Sequence, residues 1–287
     1  MLNGMFHKHL TMKKILTLGL LSAYSFGYLH AQTDSLETSK MHLKLSANFC
    51  SSLNYYGRTD SLASSGFFPL AEVWFNENFY VNAAPIFVNN RTSSLDYAGT
   101  VTTAGYQFFA DDKKWFGNFY LVKPFYKSNA QLVQSSLKAQ AAFSISNLNK
   151  LIDITAGTDI KLSGNVDFGV TAGLDHIFRK QFANNMVIVI DPSTYLFAGT
   201  QRFTKTNEKT GFLIPRVGAV DSKQENDFGV LSYEFSMPVV FVKGKFQALF
   251  TPAYVMPQNL IVVEGRPDLS EKGNQTFYAT IGVKLIL

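Results

Sequence analysis

Few residues in this 287-residue chain could carry chemistry, and they are widely spread. Beyond the leader described below, His42 and His176 are its two histidines, and Cys50 is its one cysteine. A single thiol excludes an internal disulfide framework, and zinc-type spacings, Gly-rich phosphate loops and nucleophile elbows do not occur. An enzyme is therefore not expected, nor is a cofactor or a metal. The charged residues around Ser163-Gly164-Asn165 are more informative. If this tripeptide closes a hairpin with Leu162 opposite Val166, Lys161 faces Asp167 and Asp153 faces Asp175. The first pairing suits an ion pair. The second opposes two carboxylates, which must share a proton, meet a cationic side chain from elsewhere, or bind a cation.

Alternation identifies the elements that would hold these residues. Val166, Phe168, Val170, Ala172 and Leu174 interleave with Asp167, Gly169, Thr171, Gly173 and Asp175, and a strand places such sets on opposite faces. Ile152, Ile154, Ala156, Ile160 and Leu162 alternate in the same way with Asp153, Thr155, Gly157, Asp159 and Lys161. So do Phe277, Ala279, Ile281, Val283, Leu285 and Leu287 with Thr276, Tyr278, Thr280, Gly282 and Lys284. With 26 Phe and 13 Tyr, the composition favours strands. Past the leader, no apolar window reaches the roughly 20 residues of a membrane helix. Twelve strands are expected, over 41–55, 67–75, 79–89, 97–109, 116–126, 132–146, 150–162, 166–178, 186–202, 227–241, 245–257 and 274–287. The sixth also tolerates a short helix.

Strands near ten residues suit a tilted membrane crossing, with an apolar face toward lipid and a polar face toward a lumen. The expected fold is all-β, a single closed antiparallel barrel, with ten or fourteen strands as the alternatives. Lys44, Asp153, Asp159, Lys161, Asp167, Asp175, Glu234 and Lys284 then point inward as candidates for a constriction. Connections 57–66, 204–226 and 258–273 follow odd-numbered strands and are long; those at 76–78 and 242–244 follow even ones and are tight. That parity puts the long loops on one side. Trp74, Phe75, Phe79, Tyr80, Trp115 and Phe116 flank two tight turns and are expected to form an aromatic girdle. Pro69, Pro85, Pro124, Pro238 and Pro252 lie in or near these strands and should occupy bulges or rims.

At the amino terminus, Lys13 and Lys14 precede an apolar run from Ile15 to Tyr28 and a small residue, Ala31. This is the order of a secretory leader, with cleavage after Ala31 and a natural start at Met12. Its loss removes three lysines and no acid, leaving 23 basic against 21 acidic residues in 32–287. A net charge of +2 does not call for nucleic acid.

These features together resemble the outer-membrane β-barrels of Gram-negative bacteria: leader, alternating strands, and a last strand at the chain end. The resemblance covers residues 32–287 and is one of pattern. It departs at the final residue, Leu287, where that class commonly ends in an aromatic. It implies an outer-membrane location, contact with outer-membrane lipid, delivery by the barrel-assembly machinery, and a porin-like channel for small polar or ionic solutes. The alternative is a closed barrel that serves as a structural or docking subunit for other outer-membrane proteins. A remoter one is a lipid-modifying enzyme, in which members of the class use a Ser and a His near the extracellular leaflet. His176 falls on a strand running the other way.

Overall fold

The computed structural model describes residues 41–111, 114–128, 130, 132–200, 228–260 and 270–287; the leader and the 204–226 connection lie outside them. Chain order runs β1 (His42–Cys50), the small hairpin β2 (Asn54–Tyr55) and β3 (Arg58–Thr59), β4 (Ser65–Trp74), β5 (Phe79–Asn89), β6 (Asp96–Phe109), β7 (Trp115–Tyr126) and β8 (Ala139–Asn147). It continues with β9 (Asp153–Leu162), β10 (Val166–Asp175), β11 (Phe178–Phe182), β12 (Met186–Ile190), β13 (Ser193–Gly199), β14 (Gly229–Ser236), β15 (Val239–Lys243), β16 (Phe246–Pro257) and β17 (Thr276–Ile286). β1, β4 to β10, β13, β14, β16 and β17 pair antiparallel in turn, and β17 returns to β1. The result is a closed barrel of twelve strands, which leaves no open edge around the ring.

Its faces are inverted relative to a soluble protein. Along β10, exposed Val166, Phe168, Val170 and Leu174 alternate with buried Asp167, Thr171 and Asp175. β9 repeats this, with Ile154, Ile160 and Leu162 outside and Asp153, Asp159 and Lys161 inside. Phe49, Leu121, Phe143, Phe250 and Ile281 extend the exposed apolar band around the ring. Each such side chain in water forgoes about 25 cal/mol per Å² of apolar surface. Lipid removes that cost, while the ladders satisfy the backbone internally, so the fold is that of a membrane-spanning barrel.

The prolines explain where strands break. The segments expected at 166–178, 186–202 and 227–241 are each divided: β10 from β11, β12 from β13, and β14 from β15. Pro192 and Pro238 occupy two of these breaks, and a row of bonds crosses them. His176 N donates to Pro192 O (3.2 Å), Asp191 N to Pro238 O (2.9 Å) and Met237 N to Pro252 O (3.1 Å). Each proline lacks a donor but still accepts, so neighbouring strands kink together. Pro69, Pro85 and Pro124, in contrast, lie inside β4, β5 and β7 rather than at rims. The β4–β5 ladder pairs Phe67 with Phe87 and Ala71 with Ala83, which sets Pro69 opposite Pro85. Facing prolines confine the lost donors to one place in the ladder, and a bulge follows at Ile86/Phe87.

Two further expectations are corrected. The strand expected at 132–146 begins only at Ala139; Leu132 and Leu137 are buried in turns closed by Ser135 N to Leu132 O and Leu137 N to Gln134 O, both 2.9 Å. Leu132 packs in the interior with Tyr120, Val122 and Ala142, so its apolar character serves the lumen side and not lipid. The strand expected over 41–55 ends at Cys50, and Asn54 starts a separate hairpin.

Candidate functional site: the barrel interior and its roof

The register of β9 and β10 is the one anticipated from the Ser163–Asn165 turn: Lys161 lies opposite Asp167 and Asp153 opposite Asp175. Lys161 Nζ forms an ion pair with Asp159 Oδ2, two residues away on the same face. Gln140 Nε2 on β8 donates to the same oxygen (3.3 Å), and Thr200 Oγ1 donates to Asp167 Oδ1 (2.6 Å). Gly169 makes room for this group, because a Cβ there would lie 2.1 Å from Asp159 Oδ1. The two facing carboxylates have separate donors. Asn149 N reaches Asp153 (2.6 Å), and Tyr195 Oη reaches Asp175 (3.2 Å).

A second charged group occupies the far wall, since β1 is six strands from β9 in either direction around the ring. Lys44 Nζ stands 3.7 Å from Glu72 Oε1 and 4.2 Å from the centre of the Trp74 ring, and Trp74 Nε1 donates to the same Glu72 oxygen (2.7 Å). Lys284 is buried next to them on β17, opposite Ser46 and Gln247. Glu234, half-buried on β14, lies opposite Tyr195 and Val255. All eight charged candidates thus lie on strands of the ring with inward neighbours. Glu72 belongs with them, although alternation did not single it out.

The aromatic girdle needs correction. Phe75, Phe79 and Trp115 are exposed on the outer surface, but Trp74, Tyr80 and Phe116 are almost wholly buried inside. Sequence neighbours on a strand face opposite sides, so only one of each adjacent pair can meet lipid. The inner three cluster with Phe109 and Leu148 at the end with the tight turns, and Trp74 stacks on Tyr80 at 4.8 Å.

The opposite mouth is covered by the first long connection. Tyr56 (φ 54°) and Gly57 (φ 74°) join β2 to β3, and Asn54 Oδ1 accepts from Gly57 N (3.2 Å). Two left-handed residues between paired strands make a type I′ turn, unusual in having tyrosine first. A Cβ at position 57 would lie 2.7 Å from Pro257 Cδ, so that site admits only glycine on two counts. Arg58 anchors one side. Its Nη1 donates to Tyr56 O (3.0 Å) and Leu231 O (3.1 Å), Nη2 to Gln258 O (3.0 Å), and Nε to Glu271 Oε2 (3.1 Å). Thr59 N adds a bond to Lys272 O (2.8 Å), and Arg58 bridges Gly273. On the other side, the Tyr56 ring lies 5.2 Å from Phe197 and 5.5 Å from Lys161 Nζ. The hairpin thus crosses from the β14/β16 seam to β13 and β9. Burial raises the Tyr55 and Tyr56 hydroxyls well above their ordinary pKa, so both remain neutral; burial lowers Arg58, and the Glu271 charge opposes it.

His176 lies at the β10–β11 break with its ring edge-on to Phe178 at 4.5 Å, at the turn end. No group of three or more His, Cys, Asp or Glu able to hold a metal occurs among the described residues.

No family model matches this chain, and no curated protein matches it. Among solved structures it is similar to the β-domain of a Bordetella autotransporter (TM-score 0.43, 9% identity, covering 87% of this chain and 99% of that one). It is also similar to an outer-membrane channel from Pseudomonas putida F1 (TM-score 0.48, 10% identity, 90% and 98% covered). A third is OmpT, an outer-membrane protein of Vibrio cholerae (TM-score 0.32, 7% identity, 87% and 99% covered).

Proposed function

We propose that this barrel is a narrow channel of the outer membrane for small polar or ionic solutes, and that it does not act as an enzyme. One observation carries the reading. Asn48 Oδ1, Glu72 Oε2, Asp159 Oδ1, Thr171 Oγ1 and Ser232 Oγ are buried without a protein hydrogen-bond partner among the described residues, on five strands spread around the ring. An unpaired buried polar group costs about 1–3 kcal/mol. So many on one inner surface support a lumen in which water completes their bonds and a hydrated solute can follow.

The charges suggest selectivity. Among described residues of the ring strands, six inward carboxylates (Glu72, Asp153, Asp159, Asp167, Asp175 and Glu234) oppose three lysines (Lys44, Lys161 and Lys284). Cations should permeate ahead of anions. Reversal potentials across a KCl gradient should give a cation-to-anion permeability ratio above one, and replacing both Asp153 and Asp175 by Asn should bring it toward one. A correctly folded protein that never conducts under any condition would argue against a channel.

A second reading, a closed barrel that docks other outer-membrane proteins, is favoured by Trp74, Tyr80 and Phe116, bulky rings that cluster inside the turn end. A stoichiometric partner that co-purifies, together with a permanently silent lumen, would support it. A lipid-modifying role would require His176, and His176→Ala should leave the membrane's lipid composition unchanged.

A further inference from the structure

We propose that the outer surface of β6, β7 and the start of β8 holds the phosphate of an anionic lipid, in the leaflet at the end opposite the tight turns, gripped by Lys123 and Lys127. Such a site needs only the membrane-spanning fold, and it holds whether or not the lumen conducts.

Lys123 is exposed on β7 between exposed Leu121 and Phe125. Between the rims it is, among the described residues, the one charged side chain on the outward face of the ring strands. A lysine in that position is costly in hydrocarbon, and more so toward the middle of the bilayer. Its depth is therefore informative. Trp115, exposed at the turn end, marks one interface. Along a strand that rises about 3.3 Å per residue and is tilted by about 40°, Lys123 stands about 20 Å beyond Trp115. Lys127, just past the end of β7, stands about 30 Å beyond it, the thickness of the hydrocarbon core. Lys123 Nζ lies 5.8 Å from the centre of the Phe125 ring, two residues nearer the far interface. Its long stem thus lies along the apolar band while the ammonium reaches toward the headgroups.

Other polar groups gather at the same level. Lys127 Nζ stands 3.5 Å from Asp96 Oδ1 at the start of β6, with both side chains half-exposed. Lys138 is exposed two residues before Gln140, the β8 partner of Val122. Thr102 Oγ1 donates to Lys123 O (2.9 Å), and Tyr97 Oη and Thr100 Oγ1 lie 2.7 Å apart on the exposed surface. Elsewhere around this end Phe49, Ile160, Leu162, Val166, Phe168 and Phe277 are exposed instead and offer lipid only apolar contact. The cations are thus confined to one sector of the ring.

Charge and depth together select the occupant. Among the described residues no carboxylate pairs with Lys123, so a phosphate of net negative charge is the complement it lacks. A headgroup that carries its own cation supplies less. A soluble anion meets Lys127 first and has no reason to approach the apolar band, whereas a phosphate anchored by acyl chains sits at the depth Lys123 reaches. Phe125, between the two lysines, is placed to pack on those chains.

Native mass spectrometry of the full chain in neutral detergent tests this, with folding verified by heat-dependent gel mobility. The probes are palmitoyl-oleoyl phosphatidylglycerol and the phosphatidylcholine with the same chains. Wild type should retain phosphatidylglycerol in preference, and Lys123→Gln should reduce that preference about fivefold, the worth of one lysine near an anionic headgroup. Asp96→Asn removes the competitor for Lys127 and should increase it. Lys243→Gln with Lys245→Gln, at exposed positions of the turn end, should leave most of it intact. If wild type shows no preference, if the preference survives Lys123→Gln with Lys127→Gln, or if the turn-end pair lowers it equally, the site is overturned. Displacement of the bound lipid by equimolar inorganic phosphate would mean a site for soluble anions and would overturn it as well.

Discussion

Val170→Arg should destabilise the barrel in a lipid bilayer by about 2–4 kcal/mol, the cost of a cation on the lipid face at mid-membrane depth. Val170 sits in the middle of β10, exposed on the outer surface between Phe168 and Ala172. Its neighbour Thr171 is buried on the lumen side, where it faces the polar interior of the barrel and not lipid. Thr171→Lys should therefore cost less, despite the larger change in volume. Urea titration of folding into vesicles reads both. Equal costs for the two neighbours would mean that they do not face different media.

The second large effect centres on Lys161. Lys161→Met should cost about 3 kcal/mol, the lower end of the roughly 3–5 kcal/mol range for removing one partner of a buried ion pair. It falls at that end because Gln140 still donates to Asp159 and Thr200 to Asp167. Adding Asp159→Leu should recover most of the loss, since the carboxylate that paired with the lysine is then removed as well. The same titration measures it. If the double variant is no better than the single, the pair is not the reason for the burial of Lys161.

Much of this architecture was legible in the sequence, and the reason is chemical. Lipid and lumen impose opposite demands on alternate residues, so β9, β10 and β17 announce their faces one residue at a time. The β9–β10 register was legible as well, because a turn as tight as Ser163–Asn165 leaves little freedom of slippage. Where the connection is long, that information vanishes. Lys44 and Glu72 face each other across β1 and β4, but residues 51–64 intervene and no spacing rule relates them. Glu72 also escaped notice because Phe67, Phe68, Leu70 and Val73 make both faces of β4 apolar.

The inward hairpin was hidden for a related reason. Asn54, Gly57 and Arg58 carry a turn signal and a charge, features as common in exposed loops as in buried ones. What distinguishes them is the set of acceptors gathered from Leu231, Gln258 and Glu271, some two hundred residues along the chain. The girdle error teaches the converse. Aromatic richness near a turn is visible at once, but Trp74 and Phe75 cannot share a side of one strand, and only their exposure tells them apart.

The most direct test of the account is a cysteine scan of residues 166–175 in a Cys50→Ser background, each thiol carrying a fluorophore in reconstituted vesicles and challenged with a quencher confined to the lipid tails. The account predicts strong quenching at 166, 168, 170, 172 and 174 and weak quenching at the five positions between. Quenching that ignored this alternation, or that favoured the positions of Asp167, Thr171 and Asp175, would contradict a barrel with lipid outside and a polar lumen within.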